Sequence, residues 1–467
     1  MEFISTRGKD GPISFETALL NGLARDGGLY LPVSWPRFNL DEIRQMRDLS
    51  YSDLAGLIMS RFTDGEIDQV EMTSLARQSY ADFTHPDVAP LRPVAENIHI
   101  LELFHGPTIA FKDYAMQFLS RVFDRALTRQ NRTAVILGAT SGDTGSAALE
   151  AFKGRDSVDV FILFPNGRVS PVQQKQMTSI SAKGAHAVAV SGDFDDCQDM
   201  VKACFNDVVF RDEMNLSAVN SINWARLMPQ IVYYFASALK VGAPEQTVAF
   251  CVPTGNFGNV FAGWVAAKMG LPVEKFIVAS NRNDILTRFF ATGTMQRRSV
   301  DPSLSPSMDI QVSSNFERLL FELLDRDGVE VARLMKRFAK SGSFDVAENV
   351  LRSALSLFSG FCLNDDGTRA EIRSTYQQTG MVIDPHSAVG LAGARQARAS
   401  GLVSRDTPII SLACAHPAKF PDAVQSACGI YPGLPEHLAN LMQRDDVMLT
   451  AENDMEAVQA LLRAERR

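Results

Sequence analysis

The sequence predicts an α/β fold with a doubly wound, mostly parallel sheet, preceded by a small helical domain, and three observations predict it. Short, nearly continuous apolar runs recur from residue 134 onward; helical stretches separate them; and the first 95 residues show helical patterning without strand alternation. The 467 residues also exceed a single domain of ~150 residues, and suggest two or three.

Within residues 1–95, apolar spacing predicts helices at 15–24, 40–46, 53–62 and 66–80, punctuated by Gly27-Gly28 and Leu31-Pro32. Strands are then predicted at 134–137, 158–164, 187–190, 247–252, 276–279 and 408–412, with a shorter apolar run at 216–219. Pro302 and Pro306 break regular structure across 301–309. Ser314-Asn315-Phe316-Glu317 then carries the capping-box pattern expected to start a helix over 318–324. The organisation is read as three segments, 1–95, 96–225 and 226–467.

Composition narrows the function classes. Hydrophobic residues make up 46% and charged residues 21%, the ordinary globular range. A net charge of -8 gives no electrostatic reason to expect nucleic acid or an anionic membrane. No apolar run approaches the ~20 residues of a membrane span, and the N-terminus lacks a basic stretch followed by an apolar core, so a cytoplasmic protein is expected. The six cysteines form no CxxC pair and no compact metal-ligand spacing appears, which leaves disulfide frameworks, zinc ribbons and metal catalysis unsupported.

In open α/β sheets ligands bind beyond the C-terminal ends of strands, so the loops after the predicted strands are where chemistry is expected. Pro253-Thr254-Gly255-Asn256-Phe257-Gly258-Asn259 leads into a helical run at 260–269; its glycines let backbone N–H groups converge, and the helix adds its positive end. This is a phosphate cradle without GxGxxG or Walker spacing, suited to a small monoester; a turn that binds nothing is the plain alternative. Gly138-Ala139-Thr140-Ser141-Gly142-Asp143-Thr144-Gly145-Ser146 offers four hydroxyls at a helix start, which can cap it or meet a carboxylate. Phe104-His105-Gly106-Pro107-Thr108-Ile109-Ala110-Phe111-Lys112 places a lysine at a helix start after an apolar tripeptide, surroundings that favour the neutral amine. Spacing alone leaves a solvated surface lysine open, and His105 reads as a packing residue. Asn220-Ser221-Ile222-Asn223-Trp224-Ala225-Arg226 offers amides, a hydroxyl and a guanidinium fit to grip a phosphate, or an ordinary capped helix. Ala413-Cys414-Ala415-His416-Pro417-Ala418-Lys419-Phe420 follows the last strand.

With these segments in order, together with Thr6-Arg7-Gly8, Gly28-Leu29-Tyr30-Leu31-Pro32 and the PSMDIQVSSNFERL stretch, the sequence resembles the threonine synthase family. These are pyridoxal 5'-phosphate enzymes of the tryptophan-synthase-β fold (fold type II), and the likeness is to the longer branch in fungi and bacteria. The resemblance implies two sheet subdomains, 96–225 carrying the Schiff-base lysine and substrate loop, 226–467 carrying the phosphate cradle and C-terminal helices. It implies that Lys112 binds the cofactor and moves the substrate's protons, and that Gly255, Asn256, Phe257, Gly258 and Asn259 hold the cofactor phosphate. Thr140 and Ser141 would meet the substrate carboxylate. Asp143 stands where relatives often have Asn near the cofactor's phenolic oxygen. Thr144, Asn220, Ser221 and Arg226 would bind the substrate's phosphate, and Asn223 would support the cofactor. Cys414 occupies the position of a Thr or Ser that usually faces the pyridine nitrogen. The implied reaction converts O-phospho-L-homoserine and water into L-threonine and phosphate, in a monomer or homodimer. A phospho-lyase releasing 2-oxobutyrate, ammonia and phosphate is the alternative; a non-catalytic cofactor-binding paralogue would be expected to lose Lys112 or the cradle, and neither is lost.

Overall fold

The computed structural model describes every residue except Val219. Two sheets organise it. One has six strands in the order Phe358–Cys362, Val273–Ser280, Val248–Pro253, Ile409–Ala413, Ile98–Glu102, Leu91–Ala95, all parallel except the last pair. The other has five parallel strands in the order Leu449–Ala451, Ala185–Val190, Val158–Pro165, Ala134–Ala139, Leu216–Ser217. Val158–Pro165 and Val248–Pro253 are buried at every position, as strands covered on both faces must be.

All six longer predicted strands are present, with ends within three residues of those predicted. The 216–219 run is a strand at Leu216–Ser217, and Val219 lies outside the described residues. Leu91–Ala95, Ile98–Glu102, Phe358–Cys362 and Leu449–Ala451 were not predicted; the first holds Arg92 and Pro93 and the last two have exposed positions, so these three do not announce a strand, whereas the apolar Ile98–Glu102 run did carry a signal. These strands also cross the predicted segment boundaries: Ile98–Glu102 pairs with Ile409–Ala413, and Leu449–Ala451 with Ala185–Val190.

The N-terminal helices Phe15–Asn21, Leu40–Gln45, Tyr51–Ser60 and Gln69–Tyr80 fall where apolar spacing puts them. They are joined by a two-stranded antiparallel ribbon, Phe3–Ser5 with Tyr30–Pro32, that the sequence pattern did not reveal. Their core is continuous with the main body. Trp224, at the start of the helix Trp224–Lys240, packs its ring 5.4 Å from Phe62, 5.8 Å from Phe3 and 5.9 Å from Trp35.

The capping box expected at Ser314 is absent. The helix Phe316–Leu323 starts after Asn315 without a side-chain cap, and Glu317 turns instead to Arg7 and Thr6.

Candidate active site

After Ile98–Glu102 the chain runs beside the end of Ile409–Ala413: Leu103 N–H donates to Ala413 O at 2.9 Å, Phe111 N–H to Cys414 O at 2.8 Å, and His416 N–H to Ile109 O at 3.0 Å. This strap delivers Lys112, first residue of the helix Lys112–Arg129, next to Cys414. Ile109 holds φ at +54°, a conformation rare for a branched side chain and costing of order 1–3 kcal/mol. The flanking hydrogen bonds hold it there. Asp113, fully buried, accepts from Thr108 N–H at 2.8 Å and Thr108 Oγ at 2.7 Å, and burial pushes its carboxyl up to about 7.

Lys112 Nζ lies 3.7 Å from Asp143 Oδ2. Burial drives the amine toward its neutral form; Asp143 opposes this, and the positive charges of Arg226 and Lys419 reinforce it. Asp143 is itself a hub. Its Oδ1 accepts from Lys419 Nζ at 2.9 Å and Gln173 Nε2 at 2.7 Å, and its Oδ2 from Ser307 Oγ at 3.3 Å. Burial alone would raise its pKa, yet the two ammoniums and these hydrogen bonds hold the carboxyl well below the usual range. Cys414 is pushed the other way, its thiol kept protonated chiefly by burial.

The cradle forms as predicted at a strand-to-helix turn. Phe257 adopts φ of +62° just ahead of the helix Gly258–Lys268. The N–H groups of Gly255 through Asn259 donate to no protein acceptor among the described residues. Carbonyls and side chains fix the loop from outside: Ser313 Oγ donates to Gly255 O at 2.7 Å, Ser314 N–H to Asn256 Oδ1 at 2.8 Å, and Tyr233 and Tyr234 hydroxyls to Asn259 Oδ1 at 2.7 and 2.8 Å. A Cβ on Gly255 would sit 3.2 Å from Met308 Cα and Ser307 O, a tight contact that would push the facing loop back by a few tenths of an ångström. Asn259 Nδ2 is buried without an acceptor among the described residues. Free N–H groups, an unmatched amide and a half-buried amine fit a cofactor with a phosphate and a reactive carbonyl.

Ser221 joins the cradle to the Asn220–Arg226 segment, its Oγ accepting from Asn256 Nδ2 and its carbonyl from Asn315 Nδ2 at 3.3 Å. Arg226 is buried and its charge reaches Lys112. Asn220 and Ser141 are exposed, and Thr144 is half-buried. Two residues depart from their expected surroundings. Thr140 is buried and its hydroxyl oxygen accepts from Gly142 and Gly145 N–H at 3.0 and 2.9 Å, so it caps the helix Asp143–Phe152, leaving only its proton for another partner. Asn223 uses both ends of its amide structurally: Oδ1 caps Ala225 N–H at 3.0 Å and Nδ2 donates to Leu19 O at 2.9 Å. It is fully buried, with its amide committed to these two partners.

Sequence reasoning gave no role to Lys419, Gln173, Gln176, Ser307 or His386. His386 had a readable signal, Asp384-Pro385-His386 at a helix start. Its Nδ1 meets Asp384 Oδ2 at 2.7 Å and its Nε2 accepts from Ser307 N–H at 3.2 Å, which steadies the loop contacting Asp143. The glutamines have no such signal; only the fold shows where their helix faces.

Three family models match the chain: "Threonine synthase N terminus" over residues 2–80, "Pyridoxal-phosphate dependent enzyme" over 89–349, and "Threonine synthase, C-terminal" over 387–462. The chain is 49% identical to a threonine synthase of Pseudomonas aeruginosa, covering 99% of this chain and 98% of the relative. It is 42% identical to one of Schizosaccharomyces pombe, with 92% and 90% covered. A crystal structure of PLP-bound threonine synthase from Brucella melitensis superposes with a TM-score of 0.97 at 51% identity, covering 100% of both chains. Yeast threonine synthase gives 0.94 at 38%, over 99% of this chain and 98% of that one.

Proposed function

The chain belongs to the threonine synthase family, lyases that use pyridoxal 5'-phosphate to convert O-phospho-L-homoserine and water into L-threonine and phosphate, and we propose that in it Lys112 is the amine that carries the protons. The approach of Lys112 Nζ to Asp143 Oδ2 at 3.7 Å, in a buried pocket that favours a neutral amine, supports this assignment most directly.

Pyridoxal 5'-phosphate, when bound, supplies an electron sink for charge developing on the substrate carbon. The backbone N–H groups of Gly255, Asn256, Phe257, Gly258 and Asn259 would hold its phosphate, with the positive end of the helix Gly258–Lys268 behind them. Asp143 and Cys414 would face its ring, the first as an anion and the second as a protonated thiol.

A leaving phosphate on Cγ requires proton removal at Cα and then at Cβ. Lys112 Nζ, on a flexible stem rooted in a rigid helix start, can take the first proton as a neutral amine and, only after releasing it, take the second. Ser141, with the Thr140 hydroxyl proton, would orient the substrate carboxylate. Arg226, Ser221, Asn220 and Thr144 would grip the substrate's phosphate, and Arg226 in its buried position offers a planar fork suited to it. Asn223 positions this group by capping the helix that carries Arg226. The cytoplasm is the expected setting for this monomer or homodimer; no described helix is long and apolar enough to cross a membrane.

Lys112→Ala tests the assignment. Threonine and phosphate, followed together by NMR with phosphohomoserine as substrate, are expected to fall by on the order of 10²–10⁴-fold. Full turnover in that variant rejects the role of Lys112.

A further inference from the structure

Lys419 has no part in the roles assigned above, yet its surroundings are those of a functional group. The side chain is fully buried. An ammonium has three donors, and all three are used here: Asp143 Oδ1 at 2.9 Å, Gln176 Oε1 at 2.7 Å and Thr108 O at 2.9 Å. These partners come from the helix Asp143–Phe152, the helix Pro171–Thr178 and the strap before Lys112. Gln176 also donates to Thr108 O at 3.0 Å, and Gln173 to Asp143 Oδ1 at 2.7 Å, so the network closes on itself.

One carboxylate therefore stands between two ammoniums in unequal geometry. Oδ1 is claimed by Lys419 and Gln173 at hydrogen-bonding distance, whereas Lys112 stays 3.7 Å from Oδ2, beyond it. Were Lys419 neutral, the nearest uncompensated cation for Asp143 would be Lys112, and a tight buried pair between them would pin the mobile amine in its protonated form.

We propose that Lys419 is a positioning residue, the fixed counter-ion of Asp143, which keeps that carboxylate anionic and aimed while leaving Lys112 free to exchange protons. The proposal rests on Lys112 being the proton-carrying amine. The other charged or titratable groups that reach this cluster are Arg226 from the helix Trp224–Lys240, Asp113 from the lysine's own helix with Glu150 acting on it, the Cys414 thiol after the last large strand, and Asp384, which acts on that thiol. Arg226 and Lys419 repel a proton on Lys112 while Asp143 attracts it, so removing Lys419 tips the balance toward the protonated amine.

The test uses cofactor-loaded Lys419→Met, with two readouts: the pH midpoint of the visible absorption change, and the pH profile of kcat/KM. Both are expected to move to higher pH by about one unit. The double variant Asp143→Asn/Lys419→Met removes both charges, and its absorption midpoint is expected back near the wild-type value. A role in packing alone would lower stability in both variants and leave the midpoint in place. Midpoint and profile within a few tenths of a pH unit of wild type in Lys419→Met would overturn the proposal; if that variant does not fold, the same titration of Lys419→Gln decides. Lys112→Ala separates the two ideas: if it is fully active the proton carrier is misassigned, whereas an inactive Lys112→Ala with an unmoved titration rejects only the role of Lys419.

Discussion

His416 shows how a residue near the site acquires its properties from position. It lies two residues beyond Cys414, its Nδ1 accepts from Ala418 N–H at 3.2 Å, and Phe104 packs edge-on at 5.5 Å. Burial first, then the neighbouring His105, lowers its pKa to about 4. An unfolded histidine titrates near 6.5, so between these values the unfolded chain binds the extra proton and the folded one does not. The stability contribution is complete above pH 6.5 and is lost as pH falls toward 4. His416→Asn, which keeps an acceptor for Ala418, is expected to remove this dependence, and urea denaturation at pH 7 and 5 should show wild type losing about 2 kcal/mol more than the variant. The contiguous stretches that bring Lys112, Asp143 and Cys414 together were legible in the sequence. The partners of Lys112 and Asp143 were not, since Gln173, Ser307 and Lys419 reach Asp143 from three distant stretches of chain.

The start of the helix Asp143–Phe152 illustrates the same point one level up. Gly142 takes φ of +148° and has no side chain to cap with, so the Thr140 hydroxyl does the capping. Thr140→Val keeps the shape but strands two N–H groups; a loss of about 1–3 kcal/mol in denaturant unfolding is expected, with a raised KM as the Asp143 turn loosens. The four-hydroxyl loop was correctly read as a helix start, and capping was one of its two stated uses. The Ser314–Glu317 pattern shows the converse: local spacing satisfied a capping box, but the Glu317 carboxylate was drawn to a guanidinium from the other end of the chain. Long-range charge pairing outweighed a local bond worth about 1 kcal/mol.

That pairing matters at the scale of the whole molecule. Arg7 meets Glu317 through two parallel hydrogen bonds of 3.0 and 2.9 Å, and Thr6 Oγ adds a third at 2.6 Å. Next to it, fully buried Arg318 donates to Tyr30 O at 3.2 and 3.1 Å and to Ile222 O at 2.6 Å. These two residues weld the N-terminal ribbon to the segment that carries Ser221 and Arg226. Glu317→Ala leaves Arg7 half-buried without its carboxylate; it is expected to cost about 3 kcal/mol. Hydrogen exchange should localise the loosening to the first 32 residues and to the loop at 220–223. Unchanged exchange there would show that the N-terminal region packs independently of the site.

The sequence by itself determined the class of fold, the six main strands, the glycine turn at 255–259 and the place of Lys112 at a helix start, because each depends on residues close together in the chain: apolar runs make buried strands, and glycines make a turn with free N–H groups. Only the tertiary structure decided which sheet each strand joins, that the N-terminal helices share one core with the main body, and that Asp143 stands between two lysines. Those outcomes follow from burial and charge compensation among groups far apart in the chain, and such energies exist only once the chain has closed around them.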